Sequence, residues 1–152
     1  MTSGQIDLKV VQDRLQILED CLRGLRALPL ADQATFESDY RNPAAAESLL
    51  RRALEALLDV ARHLLAKGFG QRSLEYRQVA QLSADKGLIR DAELGDRFLR
   101  IASYRNRLTH IYSEVTPAEL YKIAKEKLGD VEAIAAELRQ AAARLFSPPA
   151  QD

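Results

Sequence analysis

Apolar residues recur along this chain at spacings of three and four, the signature of helices with one buried face. Leu8, Val11, Leu15, Leu18, Leu22 and Leu25 form the first such series, and the spacing predicts a helix over 7–28, ended by Pro29. A short helix or turn is expected over 32–40, delivering Phe36 and Tyr40 to the core. Asn42-Pro43 reads as a helix start, with an N-cap residue followed by proline at the first helical position. The helix it opens runs through Leu49, Leu50, Leu54, Leu57, Leu58, Leu64 and Leu65, apolar over so wide an arc that it is central. Lys67 sits in its last turn and Gly68 is the expected stop.

After a loop at 69–73, a short helix is predicted over 75–82. Asp91 caps the next long helix, expected from Ala92 to about Tyr112, with Gly95 inside it at some cost. Thr116-Pro117-Ala118-Glu119 has the form of a capping box and opens a helix to about Leu128. Gly129-Asp130 breaks and recaps the chain, and a final helix runs to about Phe146. No stretch alternates with the period of two that a strand needs. The reading is all-α: one antiparallel bundle of four to five main helices over 1–146, with a flexible tail at 147–152 that begins Ser147-Pro148-Pro149.

Composition sharpens this picture only at its edges. With 152 residues and 47% hydrophobic content, the chain suits one domain and one core. The formal net charge is zero, which argues against RNA or DNA binding by the whole surface and leaves room for a local basic cleft. The single cysteine, Cys21, is expected to be a small buried hydrophobe, and lone-cysteine usage fits a reducing cytosol. The opening Met1–Gln5 lacks a basic and an apolar region, so no secretory leader is expected. No apolar run approaches a membrane span. A cytoplasmic location follows as the expectation.

The chemistry concentrates in Tyr104-Arg105-Asn106-Arg107-Leu108-Thr109-His110-Ile111-Tyr112. On a helical wheel with Arg105 at zero, Ile101, Tyr104, Leu108, Ile111 and Val115 fall between roughly −120° and −40° and form a core stripe. Arg105, Thr109, Asn106 and His110 spread over roughly 0° to 140°, with Tyr112 at the border near roughly −20°. Arginine grips phosphate through a planar fork and keeps its charge. Histidine exchanges a proton near neutral pH. Together they suit phosphodiester cleavage without a metal: His110 acts on the 2′-hydroxyl or the leaving oxygen, Arg105 holds the phosphate, and Asn106 orients one or the other. Outside this segment, His63 is expected to be structural, Arg107 to face solvent, Tyr104 to be core or dimer interface, and Arg51 and Arg52 to form a solvated face. Two distant histidines and no cysteine cluster make a metal site improbable. Nothing in the motifs calls for a cofactor.

Arg105-x4-His110-x-Tyr112 resembles the defining motif of HepT-like proteins of the HEPN superfamily. The helix from Ala46 to His63 also resembles that family's second long helix. The resemblance covers roughly 6–138 in helix order and spacing. It implies a helical domain that dimerises and brings two motifs into a shared cleft. It further implies the toxin of a type VII toxin–antitoxin system: a metal-independent ribonuclease of RNA, tRNA among the candidates. The implied antitoxin is an MNT nucleotidyltransferase, which transfers AMP onto the motif tyrosine, here Tyr112, and so inactivates the toxin. The alternative is a non-catalytic HEPN module that dimerises and docks a nucleotidyltransferase. Neutral net charge suits that alternative slightly better.

Overall fold

The computed structural model describes residues 4–110 and 115–146. Among them are α1 (Leu8–Arg26), α2 (Gln33–Glu37), α3 (Arg41–Phe69), α4 (Tyr76–Asp85), α5 (Ala92–Thr109), α6 (Pro117–Glu126) and α7 (Leu128–Leu145), with no strand. Four are long and three short, an all-α helical bundle. The buried apolar side chains form one cluster to which every helix contributes. Helix α3 is its axis and packs against each of the other helices. Leu57, Leu58, Val60, Ala61, Leu64 and Leu65 of α3 are wholly buried.

The caps follow local chemistry. Asp7, Asp32, Asp91 and Thr116 each accept backbone N–H groups at the start of α1, α2, α5 and α6, groups that the first turn leaves without helical partners. Glu75 and Gln78 form a reciprocal capping box on α4. The Thr116–Glu119 pair works differently from the sequence expectation. Thr116 Oγ1 accepts the Glu119 N–H at 3.2 Å, but the Glu119 carboxylate is engaged by Arg107 of α5, at 3.0 Å and 3.3 Å.

Several expected boundaries move. Helix α3 begins at Arg41, so Asn42 lies inside its first turn, where its amide donates to the Phe36 carbonyl at 3.1 Å. Gly68 does not stop α3. The helix continues to Phe69 and ends at Gly70, whose φ of 67° is left-handed and whose N–H returns to the Ala66 carbonyl. Gly68 instead admits α7: a Cβ there would meet Leu145 Cδ1 at 3.2 Å. The last break falls at Lys127, with Gly129 and Asp130 already inside α7. Phe36 is fully buried, with its ring 5.6 Å from that of Tyr121, but Tyr40 is 81% exposed and takes no part in the core. Cys21 is buried as expected, and burial pushes its thiol up. The tail at 147–152 lies outside the described residues.

Candidate functional site

Helix α5 carries the motif, and its end is built by its own side chains. The Thr109 hydroxyl donates back to the Asn106 carbonyl at 3.1 Å, satisfying an acceptor that the last turn leaves open. His110 then turns extended, with φ −89° and ψ 122°, and its N–H reaches the Arg107 carbonyl at 3.3 Å. The expected continuation of the helix to Tyr112 is therefore corrected: His110 caps α5 and does not lie on its wheel. Its side chain is exposed. Tyr112 and Ile111 lie outside the described residues.

The wheel is also corrected in its core face. The wholly buried positions of α5 are Phe98 and Ala102, which stand at roughly 20° and 60° from Arg105. Leu108 is buried at the side, while Ile101 and Tyr104 are half-buried. Arg105 therefore leaves the helix beside the core, and its side chain is only 24% exposed.

What receives it is a polar ledge on α3 and α4. Arg105 Nη2 donates to Glu55 Oε1 at 3.1 Å. Its guanidinium carbon lies 4.5 Å from the centroid of Tyr76. Nη1 makes a long contact, 3.4 Å, with Asn106 Oδ1. Nε is buried without a partner. Glu55 also pairs with Arg51 at 3.7 Å, one helical turn earlier. Beside it, Tyr76 donates its hydroxyl to Asp59 Oδ1 at 2.8 Å, and the Arg62 guanidinium lies 4.3 Å from the same ring. Burial, then the bond to Asp59, pushes the Tyr76 phenol up to about 12, so it remains a neutral donor near pH 7.

The structure thus brings Arg105 and Asn106 together at the end of α5, with His110 one residue past it. Arg107 is exposed, as expected, and its pair with Glu119 ties the end of α5 to the first turn of α6. Tyr104 is half-buried under the Arg107 guanidinium; its hydroxyl has no partner, and burial pushes it up to about 12. His63 is structural: its Nε2 accepts the Asp7 N–H at 3.0 Å. A groove of about 620 Å³ runs between α4 and α5 past Gln81, Arg100, Tyr104 and Arg107, but neither Arg105 nor His110 lines it. Sequence reasoning missed Glu55, Asp59, Arg62 and Tyr76. The carboxylates at 55 and 59 share the i, i+4 spacing of one helix face, which is the available signal.

The family model described as Ribonuclease HepT-like matches residues 12–138, a span that contains the whole motif. Comparison with curated proteins finds no match. Among solved structures, a tri-AMPylated HEPN toxin of Shewanella oneidensis in complex with MNT antitoxin superposes with a TM-score of 0.76 at 20% identity, over 86% of this chain and 97% of that one. A toxin–antitoxin structure with AMP-PNP gives 0.76 at 19%, over 87% and 98%. The cytosolic protein YutE of Bacillus subtilis gives 0.75 at 18%, over 99% of both chains. At these identities the likeness establishes the shared helical fold.

Proposed function

The chain belongs to the HepT-like ribonuclease family, and on that premise we propose that it is a toxin that cleaves RNA through Arg105 and His110. Arg105 grips the scissile phosphate and stabilises charge as it builds. His110 takes the proton from the attacking 2′-hydroxyl or returns one to the leaving 5′-oxygen. The 2′-oxygen forms a bond to phosphorus as the bond to the 5′-oxygen breaks, leaving a 2′,3′-cyclic phosphate and a 5′-hydroxyl, without a metal. Asn106 is the supporting residue. The observation that carries this reading is the family match across the stretch that holds the motif.

The active form is a homodimer. An exposed His110 at a helix end, with Arg105 outside the groove between α4 and α5, fits a site completed by a second copy. The partner is an MNT-type nucleotidyltransferase antitoxin. It transfers AMP from ATP onto Tyr112, two residues beyond His110 along the chain. The added phosphate then competes with RNA for Arg105.

One observation favours the non-catalytic alternative: Arg105 is already engaged by Glu55. The same experiment decides between the two. Unmodified protein, verified by intact mass, is incubated with total tRNA in EDTA beside His110→Ala. Cleavage by the first alone, with cyclic-phosphate ends, supports the nuclease. A well-folded, unmodified dimer that leaves tRNA intact overturns it and leaves the docking module.

A further inference from the structure

Arg105 is held from two directions. Glu55 takes Nη2 at 3.1 Å, and the Tyr76 ring lies under the guanidinium at 4.5 Å. The ring is itself anchored, because its hydroxyl donates to Asp59 at 2.8 Å and Arg62 lies over it at 4.3 Å. Asp59 pairs in turn with Arg62 at 3.6 Å. A guanidinium over an aromatic face is attracted by the ring quadrupole, and more strongly where water is partly excluded. A long side chain fixed in advance loses less freedom when its ligand arrives.

We propose that Tyr76 is a positioning residue, whose ring, anchored through Asp59, holds the Arg105 guanidinium in place for a phosphate group of RNA. The consequence for cleavage rests on the nuclease reading above; the effect on Arg105 itself rests on geometry alone. The two parts of the tyrosine do different work. The ring acts on Arg105, and the hydroxyl acts on the ring. Glu55 occupies one end of the fork, which leaves Nη1, with its long contact to Asn106, as the nitrogen that turns to phosphate. A side chain that merely filled space between α3, α4 and α5 would be replaceable by any residue of similar bulk. A positioning ring is replaceable only by another ring.

The test uses the full chain as Tyr76→Leu, Tyr76→Met and Tyr76→Phe, each checked for cooperative thermal unfolding. The first readout is the side-chain Nε–H signal of Arg105 by NMR, assigned by its loss in Arg105→Lys. The ring current should displace it in the wild type and in Tyr76→Phe, and Tyr76→Leu should return it to the position of a solvent-exposed arginine. The second is the single-turnover rate of tRNA cleavage. Tyr76→Leu should lower it about tenfold, the scale of a partly desolvated cation–π contact, while Tyr76→Phe stays within about threefold of wild type. Tyr76→Met, which also removes the ring, should slow cleavage as Tyr76→Leu does, and it serves as the second variant should Tyr76→Leu not fold. An unmoved Arg105 signal in the folded Leu or Met variant overturns the inference, as does a Phe variant as slow as the Leu variant. If the wild type itself cleaves nothing, the nuclease reading falls, and the NMR signal still decides whether Tyr76 holds Arg105.

Discussion

Two faces of α3 repeat the same spacing with opposite contents. Leu57, Ala61 and Leu64 are wholly buried. Glu55, Asp59 and Arg62 stand two residues earlier at each step, roughly 160° around the helix. The second set is half-buried, partly covered by Arg105 and Tyr76. The apolar face is held by many weak contacts, none of them specific, and tolerates exchange of one shape for a similar one. The polar face is held by a few directed contacts, each of which leaves a charge or a donor stranded if its partner goes. The first makes the fold. The second aims a side chain. Damage to one should therefore appear in stability, and damage to the other in activity.

The sharpest separation should come from His110→Ala. His110 is exposed at the end of α5 and is not among the buried core residues. Its loss should cut tRNA cleavage by about 10²–10⁴-fold, the usual range for a general acid–base group. The unfolding midpoint should stay where it is. A large fall in midpoint would mean that the end of α5 belongs to the fold and that the comparison is drawn in the wrong place.

Leu57→Ala tests the other face. The side chain is fully buried, so its truncation leaves a cavity at the centre of the bundle. The expected loss is about 2–5 kcal/mol in denaturant unfolding. Cleavage per folded molecule, measured well below the midpoint, should be unchanged. A variant that is equally stable but inactive would show that the core side of α3 also aims the site.

The difference between the faces also explains what the sequence disclosed. The apolar face was legible because burial selects residue type, and three-and-four spacing records it directly. Phe36 and the axis of α3 follow from that rule. Tyr40 fails it because a large ring one residue before a helix satisfies the pattern while standing in solvent. Gly68 and Gly70 could not be told apart by type. One is needed for the approach of Leu145 and the other for a left-handed φ, and only the backbone distinguishes them. The motif residues were legible as chemistry, but not their setting. Glu55 meets Arg105 from 50 positions away, and Asp59 meets Tyr76 from 17. Their i, i+4 spacing is a local signal, but it does not set them apart from the many carboxylates that face water. The wheel erred for a related reason: drawn from residue 101 onward, it lacked Phe98, the buried residue that fixes which way α5 faces.

A smaller effect is expected where α5 begins. Asp91 accepts the N–H groups of Glu93 and Leu94 at 2.9 Å and 3.1 Å. Asp91→Ala should cost about 1 kcal/mol, the common value for an N-cap. Because α5 carries both Phe98 and Arg105, the comparison predicts a modest fall in midpoint with cleavage nearly intact. Loss of activity out of proportion to stability would mean that fraying is transmitted along α5 to its far end.

The smallest effect concerns His63, which belongs to neither face cleanly. Its Nε2 accepts the Asp7 N–H, so the ring is neutral and carries its proton on Nδ1. Burial lowers its pKa below the ordinary 6.5; Asp7 opposes that shift and Lys67 adds to it. A histidine with a depressed folded pKa is protonated more readily in the unfolded chain. The stability it supports is therefore present above the unfolded pKa and is lost as pH falls through the folded one. Acidification from pH 7 should weaken the start of α1, by no more than about 1 kcal/mol, the net worth of one hydrogen bond. His63→Leu should flatten that part of the stability profile while leaving carboxylate titration at lower pH in place. A profile with the same slope in both proteins would remove His63 from the account of acid sensitivity.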